Sequence, residues 1–197
     1  MKNVLIINGH QKYDVMAEGK LTQTYIQSAN NFFEENEFKV KHSIIESNYE
    51  INEELEKFKW ADYILFQYPI YWMSLPWLTK KYIDELFNAG YQKVTHQSDG
   101  RSRSDASKKY GSGGLMKDKK YMLSITYNSP LSEFDNKEGF FEGLSLDEAN
   151  YSVHKIFQFC GVKQLKTYAV HDVLKGAVDM DSELRKFENI LHGNFLR

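Results

Sequence analysis

The sequence predicts an α/β fold in which helices cover both faces of a parallel sheet. Short apolar runs typical of buried strands alternate along the chain with segments whose apolar residues recur every three or four positions, as in amphipathic helices. A helix that connects two parallel strands must bury its apolar stripe against the sheet, so this alternation favours such an architecture. Because the 197 residues contain no linker-like stretch, we expect a single domain, residues 1–197.

Five strand-like runs and several periodic segments carry this prediction. The runs cover residues 3–8, 38–45, 61–68, 120–127 and 165–170. The residues at helical spacing are Leu21, Tyr25, Ala29, Phe32 and Phe33, then Val153, Ile156, Phe157 and Cys160, and finally Leu184, Phe187 and Leu191. Five strands with five helices suit a flavodoxin-like three-layer sandwich, whose five-stranded parallel sheet has the order 2-1-3-4-5.

The segment 90–118 interrupts the alternation. It is rich in Ser, Gly, Lys and Arg and has no sustained apolar period, so we expect a long inserted loop. Loops of this length inside a domain are usually functional or disordered, which makes the insert a candidate for ligand or partner contacts. Its basic residues Arg101, Arg103, Lys108 and Lys109 could hold phosphates or could form an ordinary solvated loop.

Composition and charge exclude several classes of protein. A net charge of -2 provides no field that would attract a polyanion, so we expect no nucleic-acid partner. No window approaches the roughly 18 consecutive apolar residues of a membrane span, so we expect no membrane insertion. The single cysteine, Cys160, cannot form an internal disulfide, and the first segment is strand-like rather than a charged leader. Together these features indicate a cytoplasmic protein.

In an open sheet of this kind, ligands bind beyond the carboxyl ends of the strands. The loop after the first strand leads through Gly19 into a helix, whose free N–H groups and dipole favour a phosphate. Thr22 and Thr24 add hydroxyl donors there, although Thr22 could instead be only a capping residue. The sequence lacks both the G-x-G-x-x-G and the G-x-x-x-x-G-K-S/T motif, so a nicotinamide held in the Rossmann manner is not expected.

The loops after the third and fourth strands are the other two candidates. Residues 68–77 contain four large rings and two prolines. Ile70 to Met73 would form a wall against a flat ring, while Leu75 and Trp77 could simply be core. In the later loop, Thr126 to Ser129 could line the same pocket, or could form a proline turn in which Asn128 bonds its own backbone.

Catalytic and metal motifs are weak or absent. The six histidines form no H-E-x-x-H pattern and there is no cysteine cluster, so no metal site is expected. Ser112 lacks the glycine two positions earlier that a nucleophile elbow requires, and Cys160 lies on the apolar face of a predicted helix, as an inert core thiol would. The lack of a recognisable acid–base catalytic motif is compatible with a flavin, which accepts hydride on its own ring.

A group of longer motifs resembles one family of flavoproteins almost from end to end. The motifs are Leu5-Ile6-Ile7-Asn8-Gly9, Pro76-Trp77 with Lys80-Lys81-Tyr82-Ile83-Asp84, Asp99-Gly100-Arg101-Ser102-Arg103, Ser107-Lys108-Lys109-Tyr110-Gly111-Ser112-Gly113-Gly114-Leu115, and Lys119-Lys120-Tyr121-Met122-Leu123-Ser124. In these the chain resembles the modulator of drug activity B family of flavodoxin-like NAD(P)H:quinone oxidoreductases. The resemblance implies FAD as cofactor, NAD(P)H as co-substrate, a quinone as substrate, and a homodimer with the flavin site at its interface.

The resemblance also assigns residues to the cofactor. The expected FAD-binding residues are Ala17, Glu18, Gly19, Lys20, Leu21, Thr22, Gln23, Thr24, Pro69, Ile70, Tyr71, Trp72, Met73, Tyr110, Thr126, Tyr127, Asn128 and Ser129. Gly19, Leu21, Thr22 and Thr24 would contact the pyrophosphate, and residues 70–73 the flavin. Tyr71, Trp72 and Tyr127 would lie near the ring, and Tyr110 would reach the cofactor of the other subunit. No catalytic side chain is implied, because the flavin carries the reaction.

The chain departs from the family pattern at three places. Tyr127-Asn128-Ser129 stands where relatives usually have Trp-Asn-Ala, Ala106 replaces a usual Pro, and Ala17 replaces a Ser of the phosphate loop. The resemblance implies a two-electron, ping-pong reduction of quinones. Two alternatives remain at this point: a small FMN electron carrier and a regulatory flavoprotein that binds another protein. The choice between NADH and NADPH, the natural quinone, and activity on nitroaromatic or azo compounds are left open.

Overall fold

Six strands form one parallel sheet within residues 2–14, 17–175 and 178–196, the part of the chain that the computed structural model describes. The strands are β1 (Asn3–Asn8), β2 (Lys39–Ile44), β3 (Tyr63–Pro69), β4 (Lys120–Thr126), β5 (Lys163–Gln164) and β6 (Tyr168–Val170). The helices are α1 (Lys20–Glu35), α2 (Ile51–Trp60), α3 (Trp77–Ala89), α4 (Leu146–Ala149), α5 (Tyr151–Phe159) and α6 (Met180–Phe195), with a 3₁₀ turn at Leu131–Glu133.

The strand order is β2-β1-β3-β4-β5, and β6 also pairs with β4. Alternate residues of each central strand face opposite layers, as the short side-chain period of a strand requires. In β1, Val4 and Ile6 pack with α1 and α6, whereas Leu5 and Ile7 belong to the core beneath α2, α3 and α5. The predicted flavodoxin-like α/β fold and the order of its first five strands are confirmed.

The fifth predicted strand, residues 165–170, is a strand only in its second half, β6, and an interruption separates β6 from β5, which precedes the predicted run. Lys166 lies in the interruption, and its backbone is bonded to a side chain of α6 instead of to a neighbouring strand. The Lys166 N–H donates to Asn194 Oδ1 at 3.2 Å, and Asn194 Nδ2 donates to the Lys166 carbonyl at 2.9 Å. One amide side chain therefore satisfies both backbone groups, which removes the need for strand pairing at this residue.

The insert between α3 and β4 is packed against the sheet layers. Its ends are joined by an isolated bridge between His96 and Gly114. A Cβ on Gly114 would lie 2.2 Å from the carbonyl carbon of Cys160, so only glycine fits at this close approach. Cys160 itself is buried, which confirms its predicted core position, and burial raises the pKa of its thiol to about 12.

None of the helices in the described part of the chain combines the length and the apolar character needed to cross a membrane.

Candidate functional site

The loops that follow β1, β3 and β4 begin side by side at the carboxyl edge of the sheet. The Gly9 N–H donates to the Gln67 carbonyl at 2.7 Å, which ties the first loop to β3. The Ile70 N–H donates to the Thr126 carbonyl at 3.0 Å, which ties the second loop to the end of β4. Backbone bonds thus bring together the three predicted loops.

The start of α1 has the features of an anion site. Gly19 is the N-cap in a left-handed conformation, with φ 85°, and within the described residues no side chain caps the helix and no acidic residue occupies its first turn. The first N–H groups of a helix have no partner in the helix itself, so here they are available to a ligand. Because the cap is Gly19, Thr22 lies inside the helix, and the alternative that it is the cap is wrong.

His10 organises this loop, although the sequence reasoning did not select it. The ring is buried, with Nε2 at 3.1 Å from the Ala17 carbonyl and Nδ1 at 3.5 Å from Thr22 Oγ1. A carbonyl only accepts, so Nε2 carries the proton and Nδ1 can accept from the Thr22 hydroxyl. Its position two residues after the end of β1, at the ligand-binding edge of the sheet, was the signal in the sequence. A search of the histidines for metal-ligand patterns does not detect such a position.

The other predicted residues of this loop differ in what they present to a ligand. Leu21 is partly buried and packs its side chain against the core between α1 and α6. Thr24 donates its hydroxyl to the Lys20 carbonyl at 3.0 Å, inside the helix. Glu18 and Lys20 are exposed and form an ion pair at 2.5 Å, which lowers the pKa of Glu18 and raises that of Lys20, and Gln23 is exposed.

After β3, which ends with the buried Pro69, the chain makes a tight turn. Tyr71 and Ser74 exchange backbone hydrogen bonds of 2.8 and 3.2 Å, and the two residues between them are left-handed, with φ of 49° for Trp72 and 64° for Met73. Large non-glycine residues rarely adopt this conformation, and such strain is concentrated at functional sites. The Trp72 side chain is 97% exposed. Leu75 is buried as core, but Trp77 is 62% exposed, so the core alternative is wrong for Trp77.

Tyr71 connects this turn to the first loop. Its hydroxyl donates to the Gln11 carbonyl at 2.8 Å, and its ring lies edge-on to Tyr13 at 5.4 Å and to His10 at 6.3 Å between ring centres. Burial is the main cause that raises the pKa of Tyr71 to about 12, so the phenol remains a donor. The predicted phosphate loop and aromatic wall are therefore held together as one unit.

The residues after β4 are only partly directed to this edge. Thr126 is buried, and the Tyr127 ring is 3% exposed and stacked on His171, with Asn150 Nδ2 donating to its hydroxyl at 3.1 Å. The structure thus places the Tyr127 ring in the core rather than on the open side of the pocket. Asn128 accepts from the Leu174 N–H at 3.1 Å, so the alternative in which it bonds its own backbone is wrong.

Tyr110 lies far from these loops within its own chain. Its ring is 68% exposed, 5.6 Å from the ring of Phe159, and Arg101 lies over it. Phe159 ends α5 just before β5, and β5 pairs with the first two residues of β4, at the amino edge of the sheet. The sheet therefore separates Tyr110 from the loops at the carboxyl edge of the same chain.

Across residues 2–14, 17–175 and 178–196, no three His, Cys, Asp or Glu side chains are grouped so that they could hold a metal ion. The donor set at the edge instead fits a planar group that carries phosphate. Free helix N–H groups lie beside aromatic side chains, and a Cβ on Gly19 would approach the His10 ring to 3.0 Å.

A family defined by a flavodoxin-like fold matches residues 2–191. The chain belongs to this flavodoxin-like family. It is 37% identical to the NADPH:quinone oxidoreductase MdaB of Haemophilus influenzae over 173 residues, which are 88% of this chain and 89% of the relative. The resemblance to the modulator of drug activity B family is thereby confirmed.

Solved structures show the same fold. A Klebsiella pneumoniae protein provisionally assigned as a quinone reductase superposes with a TM-score of 0.76 at 18% identity, covering 97% of this chain and 84% of that one. General stress protein 14 of Treponema denticola, solved in complex with FMN, superposes with a TM-score of 0.67 at 13% identity, covering 98% and 99%.

Proposed function

We propose that this flavodoxin-like protein is a quinone reductase that oxidises NAD(P)H through bound FAD. The observation that carries the proposal is that the Tyr71 hydroxyl joins two features at one edge of the sheet. These are the start of α1, where no side chain of the described residues caps the helix, and the Tyr71–Ser74 turn. One end suits a pyrophosphate and the other a flat aromatic ring. The relation to a named NADPH:quinone oxidoreductase supports the substrate class.

The chain's residues would bind and orient the cofactor in a fixed direction. The first N–H groups of α1, including that of Thr22, would hold the phosphates beside Gly19. Ile70 to Met73 would form the wall of the ring pocket, and the backbone of residues 126–129 its other side. When bound, the flavin supplies hydride transfer from NAD(P)H to a quinone. Because NAD(P)H and the quinone would use one open face of the flavin in turn, the kinetics should be ping-pong.

We also propose that the protein acts as a homodimer in the cytoplasm. Several large apolar side chains are exposed in the loops after β3 and β4 and at the starts of α3 and α5, and exposed apolar residues that are grouped favour an interaction surface. They include Trp72 at 97%, Phe140 at 69%, Leu131 at 64%, Trp77 at 62% and Tyr151 at 61%. Tyr110 lies at the edge opposite its own pocket, so it could contact only a flavin held by a second subunit. A reduced, buried Cys160 is compatible with a cytoplasmic location.

The decisive experiment identifies the flavin released from purified protein by chromatography and mass. We expect FAD, and FMN alone at full occupancy would contradict the choice of cofactor while leaving the fold unaffected. Steady-state oxidation of NADH and NADPH with menadione should give parallel double-reciprocal plots. Intersecting plots, or semiquinone radical as the main product, would contradict the two-electron ping-pong scheme. Tight flavin binding without menadione reduction would favour a carrier or regulatory role.

A further inference from the structure

His171 connects the loop after β6 to the loop after β4. Its Nδ1 is 3.1 Å from the Ser129 carbonyl, and its ring is stacked on Tyr127 at 5.7 Å between centres and 10° between planes. The Phe134 ring contacts both rings, with its centre 5.2 Å from that of His171 at 65° and 5.3 Å from that of Tyr127 at 75°. The imidazole is therefore fixed in position by one hydrogen bond and two aromatic contacts.

The residues after His171 hold the same segment. The Asp172 N–H donates to the Ser129 carbonyl at 3.3 Å and the Val173 N–H to the Tyr127 carbonyl at 3.2 Å. The Leu174 N–H donates to Asn128 Oδ1 at 3.1 Å. Each of the three residues after β4 is thus bonded to the segment that begins with His171.

We propose that His171 is a positioning residue that fixes residues 127–129 in the conformation that lines the flavin pocket. This inference rests on the proposed function, because only a flavin at the carboxyl edge would make the conformation of this segment matter. The function of His171 would be to hold the Ser129 carbonyl and the Tyr127 ring in place. It would transfer no proton and contact no substrate.

The chemistry of the contact explains why protonation is not required. A carbonyl only accepts, so Nδ1 carries a proton in both the neutral and the charged ring, and the hydrogen bond exists in either state. Burial lowers the pKa of His171, against smaller opposing effects of the Ser129 carbonyl and of Glu183, which favours the neutral ring near pH 7. Titration of His171 should therefore leave the hydrogen bonds between residues 171–174 and residues 127–129 intact.

Two substitutions separate the hydrogen bond from the ring. His171→Asn keeps an N–H donor near the position of Nδ1 but removes the ring, whereas His171→Phe keeps the ring and removes the donor. Fluorescence titration of apoprotein with FAD should show binding weakened about fivefold in His171→Phe, the effect of one lost neutral hydrogen bond. His171→Asn should recover most of that affinity, and the KM for menadione should follow the same order.

Hydrogen exchange in the apoprotein tests, without any flavin, whether His171 holds residues 171–174 against residues 127–129. The amides of Val173 and Leu174 should exchange faster in His171→Phe apoprotein than in wild type, with little change in midpoint temperature. Three results would overturn the proposal. They are unchanged amide exchange in His171→Phe, equal FAD affinity in His171→Phe and His171→Asn, and a loss of FAD affinity that only follows a loss of global stability. The loss of a pH limb of kcat/KM in His171→Asn would also overturn the proposal, because this would identify a proton donor. Wild-type protein that binds no flavin would overturn the proposed function. The exchange data would still test whether His171 holds residues 127–129 in place.

Discussion

Substituting Gly19 by Ala should disturb the phosphate end of the site more than any other one-carbon change. Gly19 has φ 85°, and placing an L-residue in the left-handed region costs roughly 1–2 kcal/mol. The new Cβ would also lie 3.0 Å from His10 Cδ2 and 3.1 Å from Nε2. The ring must then shift by a few tenths of an ångström, which weakens its bond to Ala17. We expect a loss of about 2 kcal/mol in the free energy of unfolding, or about 4–8 °C in Tm for a chain of this size.

The measurements are thermal unfolding of the apoprotein and fluorescence titration with FAD, where binding should weaken about tenfold because His10 also positions Thr22. Two glycines serve as controls for stability. Gly111 has φ 83° but no described atom within 4 Å of a Cβ, so Gly111→Ala reports strain without contact. Gly193 lies in α6 with similar open space, so Gly193→Ala should stabilise by up to about 1 kcal/mol. Wild-type stability and FAD affinity in Gly19→Ala would refute the argument.

Four further outcomes are expected. Trp72→Asn should raise apoprotein stability by about 1 kcal/mol in urea denaturation, because Asn tolerates the left-handed region and little burial is lost. Its affinity for FAD should fall. Reduced stability would argue against backbone strain at this residue. Tyr71→Phe should cost about 1 kcal/mol through the lost bond to Gln11, and an unchanged urea midpoint would mean that this bond contributes nothing. Tyr110→Ala should weaken FAD retention about tenfold across the dimer, whereas unchanged affinity with an unchanged dimer in sedimentation would exclude this role. Cys160, with its pKa raised to about 12, should remain protonated at pH 8 and resist a thiol reagent until the chain is unfolded.

Sequence periodicity predicted most of the sheet because strand burial is a local property. The first run, residues 3–8, coincides with β1, and the run 120–127 extends only one residue beyond β4. The strand order came from the flavodoxin-like class that five strands with five helices suit. The interruption between β5 and β6 could not be predicted, because it depends on Asn194, which is 28 residues from Lys166 and is brought there by α6.

Side-chain direction at the site was less predictable for the same reason. A ring directly after a strand can face a ligand or the core, and the sequence near Tyr127 favours neither. The structure places it inside because Asn150 supplies a donor for its hydroxyl, and His171 and Phe134 supply ring contacts. These partners are 7 to 44 residues away, so their convergence depends on the tertiary fold. The role of His10 was unpredictable for the same reason, because the Ala17 carbonyl and the Thr22 hydroxyl approach its ring only once the first loop has folded.

The backbone of the Tyr71–Ser74 turn is the feature that local propensity would have argued against. A two-residue turn with both φ values positive normally contains Asn or Gly, but here it contains Trp72 and Met73. Neither side chain recovers the cost by burial, since they are 97% and 57% exposed. Folding of this chain alone therefore gives no reason for these residues. A partner surface that covers them, a flavin ring or a second subunit, would provide one, because burying a large ring contributes more than the strain costs.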